Sequence, residues 1–374
     1  WKDVLLGIAK GFKENRDQIN AQAQKLTDHL QSSNAFGFQK TGAISAPGLS
    51  DMDAAVSALL MQADTVWGGF GGAPKFPQTA SIRFLLRYHY FNPAHKASLE
   101  HALLCLDKMI EGGIYDQLGG GFSRYSTDGQ WLAPHFEKML YDNALLVTTL
   151  SEAYQLTKKE SYHKAITETL AFVENELMDA DGGFLSALDA DSEGVEGKFY
   201  TWSSSEIISL LQKSAPLFMA YYGVTEAGNW EHTNILHTPQ PASAVAQQFG
   251  VSEKECLKTI QNCTSILMAE RNKRIRPQTD DKQLLGWNAL MNTAFSKAYA
   301  ATGNKKYLLR AQQNMAHLLE RFKNSNNEGW LHTYKNGVAK TPAFLDDYAY
   351  LIEALIQLQT VSGDLHWLEK AEAI

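Results

Sequence analysis

The string His135-Phe-Glu137-Lys138-Met-Leu-Tyr141-Asp142 gathers an imidazole, two carboxyls, an ammonium and a phenol within eight residues. Such groups supply a general acid and a general base near neutral pH when they converge on one substrate atom. Read as the start of a helix, the string puts His135, Lys138 and Asp142 at i, i+3 and i+7, on one face. The competing reading is a Lys138–Asp142 salt bridge with His135 as a cap, worth about 0.5 kcal/mol.

A second acidic string, Asp189-Ala-Asp191-Ser-Glu193-Gly194-Val-Glu196, opens like an EF-hand loop. Its twelfth position is Tyr200 where the bidentate carboxylate belongs, which argues against calcium by that route. What remains is a carboxylate set for glycosidic chemistry or an acidic hairpin turn. Asp280-Asp281-Lys282 and Asp346-Asp347-Tyr348 each lead into a helix, so one Asp of each pair serves as a cap and the other faces a cavity. Arg271, Lys273, Arg274 and Arg276 form the one basic run, read either as a solvated helix end or as an anion subsite. The glycine strings fit no nucleotide loop, and neither GxSxG nor HExxH occurs, so no metal or cofactor is expected.

The elements that hold these groups are helical. Apolar residues recur at 3–4 spacing through Met52–Val66, and Pro134 suits the first turn of a helix marked by Phe136, Leu140, Val147 and Leu150. Further helices are predicted over about 161–178, 203–213, 252–270, 284–301, 305–322 and 344–358. Ser203-x-x-Glu206 and Ser252-x-x-Glu255 read as capping boxes. Strands are confined to loops, with a hairpin expected over residues 183–202.

A weak repeat orders the helices. Polar turns lead to Tyr162, Tyr307 and Trp367, and an alanine follows each (Ala165, Ala311, Ala371). Gly-Phe184 and Gly-Trp330 come about 21 or 22 residues after the first two aromatics. The pairs read as 52–66 with 79–90, 95–111 with 135–155, 161–178 with 203–213, 252–270 with 284–301, and 305–322 with 344–358. A sixth begins near residue 364. Two-helix units must stack to bury their apolar faces, and the expectation is an all-α (α/α)6 toroid with β-hairpin loops at one mouth, incomplete in its sixth hairpin. Five of the 8 Trp (Trp67, Trp131, Trp202, Trp287, Trp330) fall in or beside those loops, where flat rings beside carboxylates suit a sugar.

Composition sets limits. The formal net charge of −7 and 44% apolar residues describe a globular chain. No concentrated basic stripe points to nucleic acid, and no run of about 18 apolar residues points to a membrane span. Three scattered cysteines and no signal peptide suit a reducing, cytoplasmic setting.

GGFGGAPKFP, GGIYDQLGGGFSRYSTDGQWLAPHFEKMLYDNA, GGFLSALDADSEGVEGKFYTW, RPQTDDKQLLGWNALM and LDDYAYLIEAL resemble the YyaL-type proteins. These are thioredoxin-domain-containing proteins related to the spermatogenesis-associated protein of animals. The resemblance covers about residues 40–374. It implies a toroid similar to those of N-acylglucosamine 2-epimerases and six-hairpin glycosidases, preceded by a thioredoxin-like domain. Residues 1–40 would keep only that domain's last helix and a linker, and 41–374 the toroid. Lys138, Tyr141, Asp142 and Ala144 match the K-x-x-Y-D-x-A pattern of the epimerases. Ser123 stands where the family usually has a histidine.

The function expected is acid/base chemistry on a sugar-like ligand, by epimerisation or by glycoside hydrolysis. His135, Glu137, Asp189, Asp191 and Asp281 are the catalytic candidates. Arg124, Trp131, Lys138, Tyr141, Asp142, Trp202, Lys282, Trp287, Asn288, Asp347 and Tyr348 are the binding candidates. The alternative is a non-catalytic scaffold that partners the thioredoxin-like domain.

Overall fold

The computed structural model describes residues 1–34, 48–324 and 329–374. The chain divides into two compact units, Trp1–Asp51 and Met52–Ile374. In the first, two helices, α1 (Lys2–Glu14) and α2 (Arg16–Asn34), replace the single remnant helix expected there. The expected boundary near residue 40 lies outside the described residues, as does Glu328.

The remaining helices are α3 (Leu49–Met61), α4 (Thr79–Phe91), α5 (Lys96–Glu111), α6 (Leu140–Thr157), α7 (Glu160–Glu176), α8 (Ser204–Leu211) and α9 (Ala215–Tyr221). After them come α10 (Ala242–Phe249), α11 (Glu253–Arg271), α12 (Leu285–Thr302), α13 (Lys305–Arg321), α14 (Leu345–Ser362) and α15 (His366–Glu372). The fold is all-α, of the (α/α)6 toroid class. An inner row runs α4, α6, α12, α14, with α6 against α12 and α12 against α14. Helix α12 is covered on nearly every side, and its alanines (Ala289, Ala294, Ala298) let the flanking helices approach. The outer helices α5, α7 and α13 bury one stripe each, which is why they show the stronger 3.6-residue periodicity. Truncating a fully buried leucine such as Leu150 or Leu355 to alanine costs about 2–5 kcal/mol by the cavity it leaves. Among the described residues, no helix is long and apolar enough to cross a membrane.

After each outer helix the chain makes the same turn. Isolated bridges pair Ala63 with Phe70, Tyr115 with Phe122, Met178 with Phe184 and Lys323 with Trp330. Inside the first three, an Asp Oδ1 accepts from backbone N–H groups of its own turn: Asp64, Asp116 and Asp179. The Oδ2 of each is met by a side chain from the segment entering the next inner helix: Lys75 at 2.5 Å, Lys138 at 2.9 Å, and Gln283. The fourth residue of the inner helix then clamps the turn's aromatic. Asn143 Oδ1 accepts from Phe122 N (2.7 Å) and Asn288 Oδ1 from Phe184 N (2.8 Å), while Tyr348 Oη accepts from Trp330 N (3.2 Å).

This repeat corrects the helix pairing. Each of these inner helices packs on the outer helix that follows it, α4 on α5, α6 on α7, α12 on α13 and α14 on α15, so 95–111 does not pair with 135–155, 161–178 does not pair with 203–213, and 252–270 does not pair with 284–301. Helices α8 to α11 are an insertion with its own core of Trp202, Ile207, Phe218, Val245, Cys256 and Leu267. Both Ser203 and Ser252 cap as expected, but only Ser252 forms the full box, because Glu206 is taken by Arg274.

The loops are stitched by short antiparallel sheets. Lys138–Met139 pairs with Ala187–Leu188, which pairs with Thr279–Asp280, joining three loops. Gln283–Leu284, Leu331–Lys335 and Val338–Pro342 form a second sheet. Two further corrections follow. Pro134 and His135 form a strand against Ser126 and Tyr125, so the helix begins only at Leu140. The acidic string makes the hairpin, Asp191–Ser192 with Val195–Glu196, whereas 197–202 is not a strand.

Candidate functional site

The groups at the mouth come from the first turns of the inner helices and the strands just before them. Arg124, next to the strand Tyr125–Ser126, receives Glu137 Oε2 at 3.3 Å, and its own N–H donates to the Glu137 carbonyl at 2.9 Å. His135 Nδ1 lies 2.7 Å from Glu196 Oε1, and its Nε2 lies 3.7 Å from Glu137 Oε2. The His135 ring rests 5.2 Å from Tyr125, which stacks on Phe76 at 4.8 Å. Tyr141 meets Trp287 with centroids 4.8 Å apart, linking α6 to α12. The phenol of Tyr141 is also the leading influence that keeps the Arg124 guanidinium charged.

Asp142 stands beside this cluster. Burial pushes its carboxyl up to about 7, with Glu137 adding repulsion while Arg124 and Tyr141 act the other way. Its Oδ2 is buried and without a hydrogen-bond partner. A carboxyl poised near neutrality in a half-buried site exchanges protons readily in either direction.

Not every sequence candidate reaches this cluster. Lys138 turns into the interior, where its Nζ is held by Asp116 Oδ2 and the Gly120 carbonyl, both at 2.9 Å. The helical face expected for His135, Lys138 and Asp142 therefore does not exist, because strands alternate sides. Trp131 is fully buried and donates its indole N–H to the Trp67 carbonyl (2.8 Å). Trp202 is fully buried in the insertion, with the Arg274 guanidinium 3.8 Å over its ring. Asn288 is spent on the Phe184 clamp, and Tyr348 on Trp330. These corrections share one cause: glycine-rich loops need large or polar side chains to hold their backbone, and those side chains are then covered.

Asp189 is exposed, and its N–H donates to the Gln278 carbonyl (2.8 Å). Register sets it opposite Glu137, since Leu188 pairs with Lys138. Asp281 lies at the other end of the same ladder, about 10 Å along the strand by three residue steps. It is exposed and paired with Lys335, as Lys282 is with Asp280 at 3.1 Å. Asp191 is exposed on the hairpin. Asp347 is buried: its Oδ1 accepts from Gly286 N and its Oδ2 from Phe344 N, both at 2.9 Å, while His332 Nδ1 donates to Oδ2 at 2.7 Å.

Sequence reasoning passed over Glu196 as the partner of His135, His332 as the partner of Asp347, and Asp116. The signal for Asp116 was present: it sits where Asp64 and Asp179 do in the repeated turn.

The architecture defines an all-α toroid with a polar, aromatic mouth. No family model matches the chain. It is similar to human spermatogenesis-associated protein 20, 32% identical over 415 residues, covering 99% of this chain and 52% of that protein. The chain thus spans about half the length of the curated relatives it matches. Among solved structures it resembles a family 76 glycoside hydrolase from a Bacteroides thetaiotaomicron strain: TM-score 0.47, 12% identity, 81% of this chain and 47% of that one. It also resembles a cellobiose 2-epimerase from Bacillus thermoamylovorans: TM-score 0.36, 13% identity, 87% and 85% covered.

Proposed function

We propose that the mouth binds a sugar or sugar derivative and that Asp142 exchanges a proton with it. The observation that carries this reading is the Asp142 carboxyl, raised to about 7 with one oxygen unpartnered, beside the Tyr141–Trp287 ring pair. Trp287 and Tyr141 offer apolar faces to the C–H side of a pyranose, and Arg124 is a fork for its hydroxyls. His135 and Glu137 stay within this reading as partners in proton movement, with Asp189 facing Glu137 across the ladder. Two such acids suit either proton abstraction in an epimerisation or hydrolysis of a glycosidic bond. Asp191 and Asp281 lie outside the cluster.

The same reading makes the chain the toroid part of a longer protein that carries a thioredoxin-like domain elsewhere, as relatives of about twice the length support. A cytoplasmic setting belongs to it as well: Cys105, Cys256 and Cys263 are free and buried, and burial pushes the Cys105 thiol up to about 11.

A panel of monosaccharides, disaccharides and aryl glycosides, followed by proton NMR, tests the proposal. Asp142→Asn should retain binding and lose turnover by about 10²–10⁴-fold. Absence of binding to every sugar, or unchanged turnover in Asp142→Asn, overturns it.

A further inference from the structure

The three-stranded sheet separates two environments. Cross-strand partners share a face, so Lys138, Leu188 and Thr279 point together, away from the face shared by Met139, Ala187 and Asp280. On the Lys138 side, between α7 and the inserted α11, lies a cavity of about 60 Å³. Its deep wall holds Asp116, Lys138, Tyr200 and Arg271, and its outer rim is formed by Glu176 and Arg276. Arg271 is 3% exposed, whereas Arg276 at the rim is open to solvent.

The charged groups around this space do not balance. Asp116 is matched by two cations: Arg271 Nη1 reaches both its oxygens at 2.8 and 2.9 Å, and Lys138 Nζ reaches Oδ2. Glu176 is matched by Arg276. Lys138, Arg271 and Arg276 therefore face only Asp116 and Glu176, which leaves one positive charge without a counterpart.

The hydrogen-bond donors do not balance either. Arg271 Nε and Tyr200 Oη are both buried without an acceptor, and Arg271 Nη2 has only the Met268 thioether at 3.3 Å. Leaving such donors unmet costs about 1–3 kcal/mol each, more beside a charge. The space needed to hold one water is about 10–15 Å³, so the cavity accommodates about four oxygens. Gly119 allows the arrangement, since a Cβ there would stand 2.1 Å from Arg271 Nη2.

We infer that this cavity is a binding site for a tetrahedral oxyanion, either inorganic phosphate or the phosphoryl group of a small monoester, held by Arg271, Tyr200 and Arg276. The anion supplies the missing charge and the missing acceptors together, and a guanidinium fork suits phosphate geometry. The site is separate from Asp142 and does not depend on the sugar reading.

The test is calorimetric titration of the full chain with inorganic phosphate and with glycerol phosphate, at ionic strength held constant with chloride. Saturable binding of one equivalent is expected, weakened about tenfold by Tyr200→Phe and by Arg276→Gln, and unchanged in Asp142→Asn. Tighter binding of the monoester identifies an organic phosphate as the ligand, and equal binding identifies the free ion. No saturable binding of either probe, or equal affinity in wild type and both correctly folded variants, overturns the inference.

Discussion

Tyr141 and Trp287 meet with ring centroids 4.8 Å apart and so join the first turns of two neighbouring inner helices, α6 and α12. The contact places an aromatic platform directly beside Asp142, whose carboxyl is raised to about 7.

Trp287→Ala should weaken binding of any sugar that the mouth accepts by about tenfold while leaving Asp142 able to titrate. Half-burial of the ring limits the stability cost to about 2 kcal/mol. Calorimetric titration and a urea melt measure the two effects separately. An unchanged affinity would remove the platform from the site.

Asp116 carries the heaviest structural load in the loops. Burial alone would raise its carboxyl, but Arg271 and Lys138 outweigh that and hold it well below the usual carboxylate range. Asp116→Asn leaves two buried cations unpaired, and a loss of about 3–5 kcal/mol is expected in denaturant unfolding. Because the folded carboxyl is depressed, its contribution is present above the unfolded value of 3.8 and is lost as pH falls below it.

Asn143 and Asn288 make matching clamps, so their truncations should behave alike. Asn143→Ala and Asn288→Ala each strip the partners from a buried Phe N–H and carbonyl. A cost of about 2–4 kcal/mol apiece is expected from chemical denaturation. A cost below about 0.5 kcal/mol at either position would show that the clamp does not hold its turn.

Much of the fold was legible because the helices carry apolar residues at helical spacing, most clearly in the outer row; α4, α5, α7 and α13 begin and end within about two residues of the expected positions. The pairing was not legible. Helices α8 to α11 are as periodic as the ring helices, and nothing in a 3.6-residue pattern says which helix packs on which. The discriminating signal was the recurring Asp-to-glycine-aromatic turn at 64–70, 116–122 and 179–184, which the insertion lacks. At the mouth, residue types identified the acids but not their surroundings. The step from Glu137 at the surface to Lys138 in the interior comes from a two-residue strand, too short to be seen in sequence. Asp142 needed the structure most, since its character comes from burial beside Tyr141 and Arg124.

Stability should carry the same signature with the opposite sign from Asp116. The folded Asp142 carboxyl titrates about 7 and the unfolded one near 3.8, so the folded state binds the extra proton between those values. Unfolding free energy therefore declines, from this group, as pH rises from about 4 to about 7. Asp142→Asn removes that decline and should be more stable than wild type at pH 8 by up to about 4 kcal/mol, read from urea melts across pH. Parallel wild-type and variant curves would contradict it.

The most direct test is the titration of Asp142 itself, followed by carboxyl carbon-13 NMR with Asp142→Asn used to assign the resonance. A midpoint near pH 7 is predicted, as required of a group that gives and takes a proton at the mouth. A midpoint near 4 would show an ordinary solvated carboxylate and contradict the proposed chemistry.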